Sequence, residues 1–272
     1  MDIFFQKMKD QSNSKMPIIA LLTDFGTRDY FVGAMKGTIF SICRNAKIVD
    51  ITHEIEPQNI AAASFTLRAC YRNFPEKTIF IAVVDPGVGS RRKAILVETK
   101  DYYFIAPDND LLSFIFSETS DFKVLELTNE KFFAENVSRT FHGRDVFAPV
   151  AAHLANGVAP NLFGEETKDF VHFAEAEPNP ISENLIEAAI IHTDRFGNLI
   201  SNLKQEDLPE NFALDINGKT IDKSQTYFAE AEVGELFMIF GSAGFLEIVA
   251  FQDSAAKILN AQTGQKIIVT TS

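Results

Sequence analysis

The chain is 272 residues long, 46% hydrophobic, and carries a formal net charge of −12. That length suits two domains, and that apolar content is enough for a full core, which excludes a disordered chain. The acidity argues against nucleic acid as the main partner, because phosphate binding calls for a basic surface. Cys43 and Cys70 sit in apolar helical patterns and read as buried free thiols of a reducing compartment. No apolar run approaches membrane-spanning length.

Residues 1–16 form a polar, lysine-dotted tail without the apolar centre of a signal peptide, expected to be partly disordered in a cytoplasmic protein. Pro17 to Leu22 is a short apolar run and predicts the first buried strand; it ends at Thr23-Asp24-Phe25-Gly26. Phe31, Met35, Ile39 and Ile42 then recur at helical spacing. Lys47 to Thr52 predicts the second strand, and Pro57 is expected to open a helix whose face is Ile60, Ala63, Leu67, Cys70 and Phe74. The stretch TIFIAVVDPGVGSRRK, Thr78 to Lys93, organises the rest. Its nearly continuous β-branched and aromatic residues predict a strand covered on both faces, broken at Asp85-Pro86-Gly87. A carboxylate at the end of such a strand, followed by glycines and by Arg91 and Arg92, describes a site at the carboxyl edge of an α/β sheet.

Lys93–Thr99 and Tyr102–Ala106 predict a hairpin, Asn109 to Glu118 a helix, and Lys123–Leu127 a further strand. Alternating strands and helices imply a largely parallel α/β sheet over residues 17–175. Thr140 to Asp145, TFHGRD, precedes a helix running to Asn156, which places His142 on a loop near a helix N-terminus. Asp169 to Glu183 has linker composition, and the linker itself is placed at residues 176–184. Residues 185–272 carry strand-like runs, Leu185–Asp194, Leu199–Leu203, Phe212–Ile216, Leu236–Phe240, Phe245–Phe251 and Lys266–Thr271, with the hairpin signal Asn217-Gly218 and one helical stretch, Ser254–Leu259. They predict a smaller antiparallel, barrel-like domain.

Several chemistries lack their spacing. DFG and HGRD stand in the reverse of the kinase order. The five histidines show no HExxH spacing and the cysteines no CxxC, so no metal site is expected. Ser90 and Ser242 are not in a GxSxG elbow, and DPGVGS lacks the Gly-Lys-Ser/Thr ending of a phosphate loop. What survives is Asp85, Arg92 and His142, a set without a covalent nucleophile that is suited to orienting and polarising a water. Turn and cap chemistry is the plain alternative for Asp24, Asp29 and Asp194.

The motifs TDFGTRDYFVGAMKG, VVDPGVGSRR, TFHGRD, HTDRFGNLISN and FGSAGFLEI, in this order from Pro17 to the end, resemble the S-adenosyl-L-methionine hydrolase (adenosine-forming) family. Its members are also called SAM hydroxide adenosyltransferases and are related to fluorinating and chlorinating adenosyl transferases. The resemblance implies an α/β domain followed by a β-barrel, and hydrolysis of S-adenosyl-L-methionine by water at the ribose C5′ without a cofactor. It also implies a homotrimer with sites between subunits. By the same resemblance Asp85, Arg92 and His142 are the water-activating trio, and Asp24 holds the ribose hydroxyls. Asp194 receives the methionine ammonium, Phe196 and Asn198 face the adenine, and Ser242 lies near the methionine carboxylate. Ala243 stands where the family usually has a larger residue. The halogenating relatives have Tyr in place of Asp85 and Tyr-Ser in place of His142-Gly143, so the residues here favour water over halide. A non-catalytic adenosine-binding module and a halogenase are the competing functions. Which of Asp85 and His142 takes the water proton stays open at this level.

Overall fold

The computed structural model describes residues 16–173, 177–227 and 231–271. The chain divides into two compact units, residues 1–173 and 174–272. The expected disorder of the tail over residues 1–15, and the expected boundary at 175/176, lie outside the described residues.

The first unit is built on a six-stranded sheet in the order β2-β1-β3-β5-β4-β6. Its strands are β1 (Ile18–Thr23), β2 (Lys47–Thr52), β3 (Ile79–Val83), β4 (Ala94–Thr99), β5 (Tyr103–Pro107) and β6 (Phe122–Glu126). Pairing is parallel from β2 through β5, and only β4 runs against the rest, through its β5 hairpin and its pairing with β6. Side chains alternate across the sheet, so β1 feeds two cores. Ile19 and Leu21 join Met35 and Ile39 of α1 (Phe31–Ile42) and Val150 and Ala151 of α4 (Ala148–Ala155). Ala20 and Leu22 join Ala63 and Leu67 of α2 (Ile60–Cys70) and Phe114 and Ile115 of α3 (Ser113–Glu118). Burial on both faces is why these strands read as continuous apolar runs.

Four expectations need correction. The second helix starts at Ile60, not Pro57: Gln58 takes a left-handed φ of 67°, and Asn59 caps the helix by accepting from Ala62 N–H at 2.9 Å. It ends at Cys70, and a 3₁₀ turn at Tyr71–Asn73 carries Phe74 off its face to pack edge-on against Phe80, ring centroids 5.2 Å apart. The third begins at Ser113 rather than Asn109, because Asp110 at φ 83° breaks it. Cys43 is buried, Cys70 only partly; both are free, and burial pushes the Cys70 thiol up to about 11.

The second unit is an eight-stranded sheet in the order β11-β10-β14-β8-β9-β13-β12, with β7 (Asn179–Ser182) on the side of β8. The strands are β8 (Leu185–Thr193), β9 (Leu199–Lys204), β10 (Phe212–Ile216), β11 (Lys219–Ile221), β12 (Leu236–Phe240), β13 (Phe245–Ala250) and β14 (Lys266–Thr271). Past β11, the chain at Lys223 and Gln225 bonds both sides of Met238 on β12, at 2.8 and 3.0 Å, which nearly closes the sheet into a barrel. Asn217 and Gly218 turn β10 into β11 with φ 54° and 76°, the positive pair that a type I′ hairpin requires. The helix α5 (Ala255–Leu259) is capped by Ser254, whose Oγ accepts from Lys257 N–H at 3.2 Å. Part of the sequence-defined linker is therefore strand: Asn179–Ser182 pairs antiparallel with β8.

Candidate active site

Asp85 lies just past the end of β3 and Asp24 just past the end of β1, its parallel neighbour, where Thr23 and Val83 are paired. Both carboxylates thus stand at the carboxyl edge of the sheet. The loop after Val84 is tight: Gly89 has φ 77°, and a Cβ there would lie 2.2 Å from Arg139 O, so only glycine fits.

Arg92 closes that loop onto Asp85. The two side chains are 10% and 5% exposed. The guanidinium Nε donates to Asp85 Oδ1 at 2.9 Å and Nη2 to Oδ2, a bidentate pair. Nη2 also meets His142 Nδ1 at 2.8 Å, Nη1 donates to Lys93 O at 3.2 Å, and the cation lies 5.5 Å from the centre of the Phe147 ring. Arg91 is exposed, and among the described residues it makes no ion pair with Asp85.

The contact with His142 fixes its tautomer. A guanidinium only donates, so Nδ1 accepts and the ring proton sits on Nε2. Burial, then the Arg92 charge, lowers the imidazole below its ordinary 6.5, with Asp85 and Asp145 pulling the other way. The neutral ring presents Nε2–H as a donor. His142 caps a π-turn, Gly143–Phe147, that runs into α4. Gly143 is packed closely: a Cβ would meet Met35 Sδ at 3.2 Å and the rings of Phe141 and Phe25 at 3.4 Å.

Asp24 Oδ2 accepts from Gln58 N–H at 2.8 Å, the reason for the left-handed residue before α2. His53 is structural: 4% exposed, it pairs Nδ1 with Thr23 Oγ1 at 2.9 Å, and its carbonyl accepts from Gly26 N–H at 2.7 Å. Asp145 is buried and stitches its own loop through Ser138 N–H, 2.8 Å, and Arg144 Nε, 2.6 Å.

In the second unit, Asp194 organises the turn between β8 and β9. Its Oδ1 accepts from Phe196 N–H (2.8 Å) and Asn198 N–H (2.9 Å), and Oδ2 from Asn198 Nδ2 (2.9 Å). Gly197 seats this turn on α5, where a Cβ would lie 2.0 Å from Ser254 Oγ. The turn displays the Phe196 ring, 77% exposed, at a cleft lined also by Asn198, Ala250, Gln252 and Asp253. Ser242 is exposed in the Gly241–Gly244 turn between β12 and β13, which is closed by Gly244 N–H to Gly241 O at 3.0 Å.

Glu247 is a residue that the sequence reading missed. Its carboxylate lies over Gly241, where a Cβ would be 1.7 Å from Oε1. Burial and then the charge of Asp194 raise its pKa above the ordinary 4.5. A lone glutamate in the apolar run FLEIVA is the one local signal that could have drawn notice to it. Among the described residues no group of three or more His, Cys, Asp or Glu is placed to hold a metal ion.

The class these features define is a two-unit protein, α/β then antiparallel β, with an ion-paired carboxylate and a neutral histidine at a sheet edge. The SAM hydroxide adenosyltransferase N-terminal domain profile matches residues 19–164, and the corresponding C-terminal domain profile matches residues 188–268. A protein of Methanocaldococcus jannaschii named (R)-S-adenosyl-L-methionine hydrolase is 36% identical over 261 residues, 90% of this chain and 92% of that one. A fluorinase of Actinoplanes sp. is 27% identical over 93% of this chain and 97% of its own. The crystal structure of an uncharacterized conserved protein from Thermotoga maritima superposes with a TM-score of 0.86 at 35% identity, over 93% of this chain and 99% of that one. The chain belongs to the SAM hydroxide adenosyltransferase family.

Proposed function

We propose that this chain is an enzyme that hydrolyses S-adenosyl-L-methionine to adenosine and L-methionine by attack of water on the ribose C5′. The observation that carries the reading is the partly buried Asp85–Arg92–His142 network, with His142 neutral and its Nδ1 turned to Arg92. The sulfonium leaves without acid assistance, because sulfur keeps the C5′–S electron pair and departs as a neutral thioether. The task left to the protein is to place a water in line and take its proton. His142 Nε2–H donates to the water oxygen, and Asp85 accepts one of its hydrogens. The C5′–O bond forms as C5′–S breaks. The attacking water becomes a strongly acidic oxonium, so even an ion-paired carboxylate suffices to take the proton. Alignment alone is worth up to about 7–11 kcal/mol in such reactions.

The other assignments follow the same reading. Asp24 holds the ribose hydroxyls. Phe196 stacks on the adenine while Asn198 reads its edge, and Ser242 lies near the methionine carboxylate. Asp194, with Glu247 beside it, supplies negative charge for the ammonium. No cofactor is required, and we take the assembly to be a cytoplasmic homotrimer with substrate sites between subunits, which light scattering tests. Among the described residues no helix is long and apolar enough to cross a membrane.

The test is turnover in oxygen-18 water without added metal or halide, read by mass spectrometry. Labelled adenosine and methionine over many turnovers are expected. No product, or no more than one per site, overturns the reading in favour of a binding module, and unlabelled product over many turnovers refutes attack by water.

A further inference from the structure

The loop that carries Asp85 and Arg92 leaves β3 at Val84 and rejoins the sheet at Lys93, ahead of β4. Both ends are held by consecutive residues of another loop, the one that follows β5. Asn109 Nδ2 donates to Val84 O at 2.9 Å. The Asp108 N–H donates to Lys93 O at 3.0 Å, the same carbonyl that accepts from Arg92 Nη1. Asp108 is itself anchored: 8% exposed, it accepts from Val171 N–H at 2.8 Å. The second polar atom of the Asn109 amide, Oδ1, is buried, and no donor among the described residues reaches it. A flipped amide would set that oxygen against the Val84 carbonyl, so donation to Val84 fixes the orientation. A buried acceptor left open is costly. The amide's N–H₂ thus bonds the main chain one residue before Asp85.

We propose that Asn109 is a positioning residue for hydrolysis, holding the Val84–Asp85 peptide so that Asp85, and through it Arg92 and His142, stand in line with the ribose carbon. The proposal rests on the hydrolytic reading. Sequence reasoning places Asn109 in a helix; its partner is a main-chain carbonyl 25 positions away, which no local pattern announces.

The experiment compares Asn109→Ala and Asn109→Asp, each alone and in an Asp85→Asn background. Asn109→Asp keeps the side chain's size but sets a carboxylate oxygen, with its charge, against the Val84 carbonyl in place of the donor. Misplacing a reacting group by about 1 Å costs on the order of 10²-fold in rate. Each single variant is therefore expected to lower kcat by roughly 10- to 100-fold. KM and the Kd for adenosine should stay within about twofold, and neither variant should reduce the residual rate of Asp85→Asn further. The nitrogen-15 spectrum of His142 reads the network without turnover, and the Nδ1 resonance should shift in both variants. Three results would overturn the proposal: Asn109→Asp at the wild-type rate, a loss that adds fully to that of Asp85→Asn, or an unmoved His142 spectrum. If the wild type makes no adenosine, hydrolysis fails, and the His142 spectrum still decides whether Asn109 positions the network.

Discussion

Arg92→Lys keeps the charge and removes the fork. The guanidinium makes four contacts: Asp85 Oδ1, Asp85 Oδ2, His142 Nδ1 and Lys93 O. A lysine ammonium ends near the position of the arginine Nε or Cζ, close enough for Asp85 but short of the other two acceptors. Lys93 O keeps its bond from Asp108 N–H. His142 Nδ1 has no other donor among the described residues and is the one group left open. Orphaning an acceptor on this half-buried ring costs up to about 1–3 kcal/mol, and the lost cation–π contact with Phe147 adds about 0.5–1 kcal/mol. A stability loss of about 2 kcal/mol is expected, which at about 2–4 °C per kcal/mol for a domain of this size lowers Tm by roughly 4–8 °C. Released from Arg92, the imidazole is free to turn, and the donor aimed at the water is no longer preorganised. Misplacing the water in this way costs on the order of 10²-fold in kcat. KM should change less than about twofold, because the residues proposed to hold the substrate are untouched. Calorimetry and adenosine release at saturating substrate measure both quantities. A variant with lowered Tm and a kcat within about threefold of wild type would show that the fork is structural and the trio wrongly assigned.

His142 sets the acid limb. Its folded pKa lies below the ordinary 6.5, so the neutral ring is the form the fold favours. The stability linked to it is fully present above that value and is lost as pH falls through 6.5 towards the folded pKa. Activity is expected to be level from about pH 7 upward, with an acid limb below the ordinary imidazole value; a midpoint above it would contradict the tautomer. Glu247→Gln removes a partly buried charge beside Asp194 and should raise KM about three- to tenfold with kcat retained, equivalent to about 0.7–1.4 kcal/mol. An unchanged KM rules Glu247 out of substrate binding. Gly143→Ser adds atoms where Met35 Sδ is 3.2 Å away and should lower Tm by a few degrees without yielding a 5′-halogenated product in chloride or fluoride; formation of that product would mean that position 143 alone selects the nucleophile.

The parts of this structure that were legible in the sequence are those governed by local pattern. β1 and β3 are covered on both faces, and their apolar runs say so. The Asn217-Gly218 hairpin follows from the dihedrals that those residues tolerate. Arg92 rather than Arg91 was chosen by spacing, and it is Arg92 that reaches Asp85. What pattern missed is set by partners distant in sequence. Pro57 looked like a helix start because proline suits that position, but Gln58 bonds Asp24 from a left-handed backbone, and the helix begins only at Ile60, with Asn59 as its cap. The strand at Asn179–Ser182 has a linker's composition and exists through its pairing with β8. Asn109 and Glu247 carry no motif, and their positions emerge only when Val84 and Gly241 are brought alongside them.

The choice of nucleophile follows from where charge travels. In the hydrolysis proposed here, positive charge leaves sulfur and appears on the attacking oxygen. A carboxylate at the oxygen end favours that movement, because its attraction grows as the transition state forms. Asp85 is held there by Arg92, which fixes both oxygens and keeps a bare anion from trapping a cationic substrate in the ground state. A halide in the same place would bring negative charge against Asp85. At 4 Å and an effective dielectric of 20 that repulsion is about 4 kcal/mol, close to 10³-fold in rate, before Arg92 offsets part of it. At position 143, the crowding by Met35, Phe25 and Phe141 leaves little room for a side-chain hydroxyl. The anion at Asp85 and the missing Cβ at Gly143 therefore act in the same direction, one electrostatically and one sterically, and only replacing both tests whether the scaffold itself has any preference for water.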